Sequence, residues 1–170
     1  MQAKLACPEY TPTKNNKHKS IRNHERFKDL FVMLDTKVTN CLYWFEVENN
    51  NSCDLLVKHL NEIRPILKEQ FRVVPVINKN NNSNVLYVGI RRGGFTEKWG
   101  LSNISGRMIQ HLGYYEKGST QGLQLAHWSL NSDIKIKINI IQFEEKFPNY
   151  YLEAFEKIIA HKLRPLCGKH

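Results

Sequence analysis

No run of apolar residues in this sequence is long enough to cross a bilayer, so a helical membrane span is not expected. The first residues, MQAKLACPEY, lack the apolar core of a signal peptide, and the expected compartment is the cytoplasm. Four cysteines occur, Cys7, Cys41, Cys53 and Cys167, but none form a CxxC pair or stand at zinc-finger spacing with histidine. A zinc module is therefore not indicated, and buried or free thiols in a reducing compartment are expected. There is no internal repeat. Acids are scarce: 16 Asp+Glu face 25 Lys+Arg, a formal net charge of +9. That excess favours a polyanion, nucleic acid or an acidic surface, although a merely basic soluble protein has the same balance.

At 170 residues the chain is long enough to fold as one domain without disulfides. Residues 1–22 read as a basic, flexible arm and residues 23–170 as a single domain. Between Lys14 and Lys28 six Lys/Arg stand against one acid, Glu25. Such an arm either follows a phosphate backbone or is simply solvated.

Periodicity places the elements. Phe27, Leu30, Phe31 and Leu34 share one face of a predicted helix over 23–35, with Asn23 as its N-cap. CLYWFEVE (41–48) reads as a buried strand. A helical stripe runs through Leu56, Leu60, Ile63 and Leu67 (53–70), with Pro65 expected to kink or interrupt it. RVVPVINK (72–79) reads as a strand whose Pro75 suits an edge or bulge. VLYVGI (85–90) is a further strand, followed by a glycine-rich loop over 91–105. Helices are predicted over 105–113, capped by Ser105 and stopped by Gly113, over 120–130, and over 149–166, closed by Pro165. IKIKINIIQF (134–143) alternates as a half-buried strand does. The order βαββααβα specifies a small α/β or α+β domain.

Several residues carry two readings each. Arg107 and His111, four apart on a helix, are either a solvent-facing basic pair or a phosphate clamp beside a proton carrier. Glu156 either flanks an apolar stripe, paired with a lysine, or ligates a divalent metal; Glu153 is the competing acid. Tyr43 and Tyr87 are either satisfied core tyrosines or hydroxyls that orient a nucleophile. Arg91 and Arg92 are loop charge or phosphate ligands, and Gly89 is a place where the backbone lets a phosphate approach. Cys41 reads as structural, and His127 as structural or as an outer-shell donor.

Taken in order, CLY (41–43), YVG (87–89), R-x-x-x-H (107–111) and the late Glu156 followed by RPLCGK (164–169) resemble the GIY-YIG nuclease superfamily. The resemblance spans roughly residues 41–169. It implies a small mixed sheet flanked by helices and hydrolysis of a DNA phosphodiester with one divalent metal, Mg²⁺ or Mn²⁺; RNA is the alternative substrate. It also implies that Glu156 holds the metal and that Arg107 stabilises the scissile phosphate. Tyr43 would act as general base or water-positioning group, with Tyr87 and His111 completing the hydrogen-bond network. Cys41 and Leu42 stand where the family's Gly and Ile would be. Ile90 stands where many members carry a lysine, which Arg91 or Arg92 would replace. A helix and a strand (about 50–80) are inserted between the tyrosine strands, which the family joins by a short hairpin. A second expectation follows from these departures: a module of the same fold that binds nucleic acid without cleaving it.

Overall fold

The most aromatic stretch of the chain, CLYWFEV, becomes a central strand of the sheet. The computed structural model describes residues 2–4, 18–48, 51–69, 72–79, 83–114, 121–128 and 134–168. Cys7 and Lys14, which figure in the expectations above, lie outside those residues.

The main sheet has four strands, β1 (Gln2–Lys4), β2 (Cys41–Val47), β3 (Val85–Arg91) and β6 (Lys135–Gln142), in the order β1-β6-β2-β3. A two-stranded ribbon, β4 (Phe95–Thr96) with β5 (Leu101–Ser102), sits within the loop after β3. The helices are α1 (His18–Asn23), α2 (Lys28–Asp35), α3 (Asn51–Glu69), α4 (Asn103–Leu112), α5 (Leu125–Trp128) and α6 (Asn149–Leu163). The domain is α+β. Its four-stranded sheet is antiparallel at every pairing rather than mixed. The cause is local: the Val47 N–H donates to the Asn84 carbonyl at 2.7 Å, so the chain leaves β2 and enters β3 at the same end of the sheet. The inserted segment is an excursion between two antiparallel neighbours, not a crossover.

Strand alternation decides which side chains meet. Cys41, Tyr43, Phe45 and Val47 join the main core, together with Phe27, Leu30, Phe31 and Leu34 of the N-terminal helices and Ile104, Met108 and Leu112 of α4. On the opposite face Trp44 and Val88 pack with Ala160, Ile159 and Leu163 of α6.

Several expectations need correction. The predicted strand over 72–79 does not form; apart from an isolated bridge between Ile77 and Cys167 it has no ladder. Pro75 offers no N–H, and the remaining backbone groups bond to scattered partners: Arg72 N–H to Leu67 O, Gly122 N–H to Val73 O and Gly168 N–H to Val76 O. The insertion is therefore α3 plus an irregular return, and α3 runs through Pro65 without ending. The helix over 23–35 is two helices, and Asn23 ends the first instead of capping the second. The His24 carbonyl accepts both Phe27 N–H and Lys28 N–H at 2.9 Å, which makes the turn between them. The cap of α4 is Ser102, whose hydroxyl accepts the Ser105 N–H at 3.2 Å; Ser105 donates its own hydroxyl to Asp35 at 2.5 Å. In the expected helix over 120–130 the described helical residues are Leu125–Trp128, preceded by Gln124 at φ 55°. The last helix ends at Leu163, where Arg164 turns left-handed ahead of Pro165. Within the arm, Gln2–Lys4 pair with β6 and Ile21 is fully buried.

Candidate active site

β2 and β3 set two tyrosines on the same face of the sheet. Tyr43 pairs with Gly89 and Phe45 with Tyr87, so the tyrosines stand on a diagonal with ring centroids 6.3 Å apart. Gly89 leaves the room they need. A Cβ there would lie 2.6 Å from the Tyr43 hydroxyl and 2.7 Å from the Tyr87 ring. The space over Gly89 is thus filled by phenol rings, not open to a phosphate.

α4 brings Arg107 and His111 over this face, one turn apart. Arg107 Nε donates to the Tyr43 oxygen at 3.0 Å and Nη2 to the Tyr87 oxygen at 3.4 Å. Its Nη1 donates to Gln110 Oε1 at 3.0 Å and to the Gln121 carbonyl at 2.6 Å. Four of the five guanidinium N–H groups thus have partners among the described residues. Gly122 permits the Gln121 contact, since a Cβ there would come within 2.6 Å of the Gln110 carbonyl.

His111 is fully buried, which excludes the solvent-facing reading of the Arg107–His111 pair. Its Nδ1 accepts the Leu123 N–H at 3.3 Å, so the neutral ring carries its proton on Nε2. Nε2 therefore donates to the Tyr43 oxygen at 3.0 Å. That oxygen accepts two hydrogen bonds, one from a guanidinium and one from an imidazole.

Burial dominates the protonation of this group. It drives His111 well below its ordinary range, with Arg107 adding to the effect. It raises both tyrosines, against the pull of Arg107. Arg107 is lowered by burial, but the two phenols more than offset this and hold it firmly charged.

Glu156 reaches the group from α6. It is half-buried and accepts the Ile90 N–H. Burial raises its carboxyl, Glu153 raises it further, and Arg107 and the Ile90 N–H oppose both. Its charge is felt at Tyr43 and Tyr87. Tyr43, Tyr87, Arg107 and His111 are therefore gathered at one place, with Glu156 near enough for its charge to act on both tyrosines and on Arg107. Arg91 and Arg92 stay outside it, exposed at the end of β3, with Arg92 3.6 Å from Glu153. Among the described residues there is no group of three or more His, Cys, Asp or Glu placed to hold a metal ion.

Sequence reasoning missed three contributors. Gln110 had a signal, its position three residues after Arg107 on one helix. The Gln121 carbonyl and the Ile90 N–H are backbone groups, which no residue pattern announces. Fold and geometry together define a class: an α+β domain whose small antiparallel sheet carries an Arg–Tyr–Tyr–His cluster beside one carboxylate. Set against family models, curated proteins and solved structures, the chain matches none.

Proposed function

We propose that this protein is a metal-dependent DNA endonuclease that hydrolyses a phosphodiester at the Arg107–Glu156 site. One observation carries the reading: a charged arginine is held by two phenol oxygens, a glutamine and a carbonyl, within the field of a carboxylate. The remaining N–H of Nη2 is the one suited to a phosphate oxygen. Glu156 fits one hydrated divalent cation. Mg²⁺ takes few carboxylates and keeps several waters, and a cation relieves the unfavourable potential that Glu153 sets at Glu156. When bound, Mg²⁺ or Mn²⁺ would neutralise charge on the scissile phosphate. Tyr87 keeps some exposed surface and is the better group to orient water. Tyr43, fully buried, positions Arg107, and His111 fixes Tyr43.

A second reading, a nucleic-acid-binding module without turnover, draws on the same burial of Tyr43, which keeps its hydroxyl from solvent. Plasmid nicking in Mg²⁺ and Mn²⁺ separates the two. Endonuclease action predicts cleavage that Glu156→Gln abolishes and that Arg107→Ala slows by roughly 10²–10³-fold. Cleavage that survives both substitutions removes the site assignment. Salt-sensitive DNA binding with no cleavage in either metal selects the binding module.

A further inference from the structure

Five of the aromatic side chains that neither core claims lie together. Phe143 and Phe147 stack with centroids 4.3 Å apart at 24°, and Phe155 meets each of them at 5.9 Å. Tyr151 joins through Phe147 at 6.2 Å, and Tyr150 lies 4.3 Å from Tyr151. These five belong to neither buried cluster. Tyr150 is 68%, Tyr151 49% and Phe155 42% exposed, which for rings of this size marks a contact surface.

The loop that presents them is tied down. Asn40 Nδ2 donates to the Phe147 carbonyl and to Asn149 Oδ1, both at 3.0 Å. Thr39 Oγ1 donates to the Phe143 carbonyl at 2.6 Å, and the Phe143 N–H donates to Asn40 O at 2.9 Å. The other end of the Asn40 amide accepts the Gly93 N–H at 2.9 Å, which joins the platform to the turn after Arg91 and Arg92. Arg92 in turn reaches Glu153, one helical turn before Glu156. Platform, arginine turn and the first half of α6, which carries Glu153, therefore lie near one end of the sheet.

We propose that this platform stacks unpaired bases of a DNA strand whose backbone runs on to Glu156; the proposal rests on the endonuclease reading above. The rings adjoin the proposed cleavage site through the Asn40–Gly93 and Arg92–Glu153 contacts, which makes the substrate strand their occupant. Local charge is balanced. Arg91, Arg92, Lys146 and Lys157 are matched by Glu144, Glu145, Glu153 and Glu156, so ring faces rather than cations supply the affinity at this spot. Stacking suits that, because every base has a π-face.

The test is fluorescence anisotropy at fixed salt in the Glu156→Gln background, which leaves the DNA intact. It compares a short labelled oligothymidine with an abasic oligomer carrying the same number of phosphates. The expected result is tighter binding of the oligothymidine, lost on the order of tenfold per ring in Tyr151→Ala and in Phe155→Leu. Phe155→Leu keeps apolar surface but removes the ring, so a protein-docking patch would tolerate it. Equal binding of both oligomers, or unchanged binding in both variants, overturns the proposal. So does a wild-type dimer that Tyr151→Ala converts to a monomer, since a second copy would then cover the rings. Nicking by unsubstituted protein, run alongside, reads the endonuclease assignment separately. Cleavage without base-dependent binding fails the platform alone, and base-dependent binding without cleavage fails the endonuclease alone.

Discussion

Gly89→Ala adds one methyl group where the site can least accept it. The new Cβ would stand 2.6 Å from the Tyr43 oxygen, 2.7 Å from Tyr87 Cε1 and 2.8 Å from Tyr43 Cζ. Ordinary contact begins near 3.4 Å, so an overlap of nearly 1 Å must be relieved. Tyr43 has nowhere to go. It is fully buried, its oxygen is held by Arg107 and His111, and its ring meets Phe45 edge-on at 6.1 Å. Overpacking of this kind costs about 1–3 kcal/mol. Replacing a strand glycine returns roughly 0.5–1 kcal/mol by lowering the entropy of the unfolded chain. A net loss of about 0.5–2 kcal/mol follows, which for a chain of this length lowers Tm by roughly 1–8 °C. On the endonuclease reading, the larger effect falls on cleavage. A shift of about 1 Å in the tyrosines carries Arg107 with it, and misplacement of that size costs on the order of 10²-fold in rate. Urea unfolding and plasmid nicking on the same preparation give both numbers. Unchanged stability together with unchanged nicking would refute the packing account of Gly89. Equal, proportionate losses in both would show that the alanine merely loosens the fold.

The pH dependence of stability has a definite sign. Burial first, and then Arg72, lowers His127 to about 4 against the pull of the Gly113 carbonyl, and His111 is lowered as well. Both histidines gain protons more readily unfolded, so their contribution is complete above about pH 6.5 and drains as pH falls towards the folded values. For His127 that amounts to at most about 3 kcal/mol. Urea midpoints at pH 7 and pH 5 should differ, and His127→Gln should narrow the gap. Asn40→Ala removes three hydrogen bonds from a nearly buried amide, a loss of roughly 2–4 kcal/mol. Hydrogen exchange should quicken in 92–94 and 143–149 together, and quickening in one segment alone would count against a shared tie. Burial raises Cys41 and Cys53 to about 11 and Cys167 to about 12. A Cys7→Ser protein should therefore react with a thiol reagent at neutral pH only on unfolding; rapid native labelling would contradict this.

How much of this was legible depended on whether a residue's partner was near in sequence or only in space. The strands at 41–48 and 85–90 were readable because apolar and aromatic residues at those positions have nowhere to go but a sheet. Arg107 and His111 were readable as one face because four residues make a helical turn. The break between α1 and α2 was not, because the stripe from Phe27 to Leu34 continues as one helix would; the turn at His24 is a backbone event. Residues 72–79 have strand composition, yet their backbone bonds go to α3, the C-terminal segment and the stretch before α5. Tertiary partners overrode propensity there. Gly89 was legible as a glycine needed for close approach, but what approaches it is a pair of tyrosines.

The energetics of the Arg–Tyr–His group bear on why it exists. Among the described residues Tyr43 is the largest fully buried side chain, and Phe45, whose ring it meets edge-on, shows what an ordinary core would place there. A half-buried guanidinium and phenol, with a fully buried imidazole and phenol, lose much of their hydration, and their mutual hydrogen bonds at 3.0–3.4 Å restore it without surplus. Well-packed apolar residues of similar volume often serve stability as well or better. Stability thus gives no reason to keep a charged donor aimed at two hydroxyls within the field of a carboxylate. Anion chemistry would, because a guanidinium fixed in place, with one N–H in hand, would act on a phosphate without having to be organised at the moment of reaction. The arrangement is costly as a core and apt as a site, and that asymmetry supports reading it as a site.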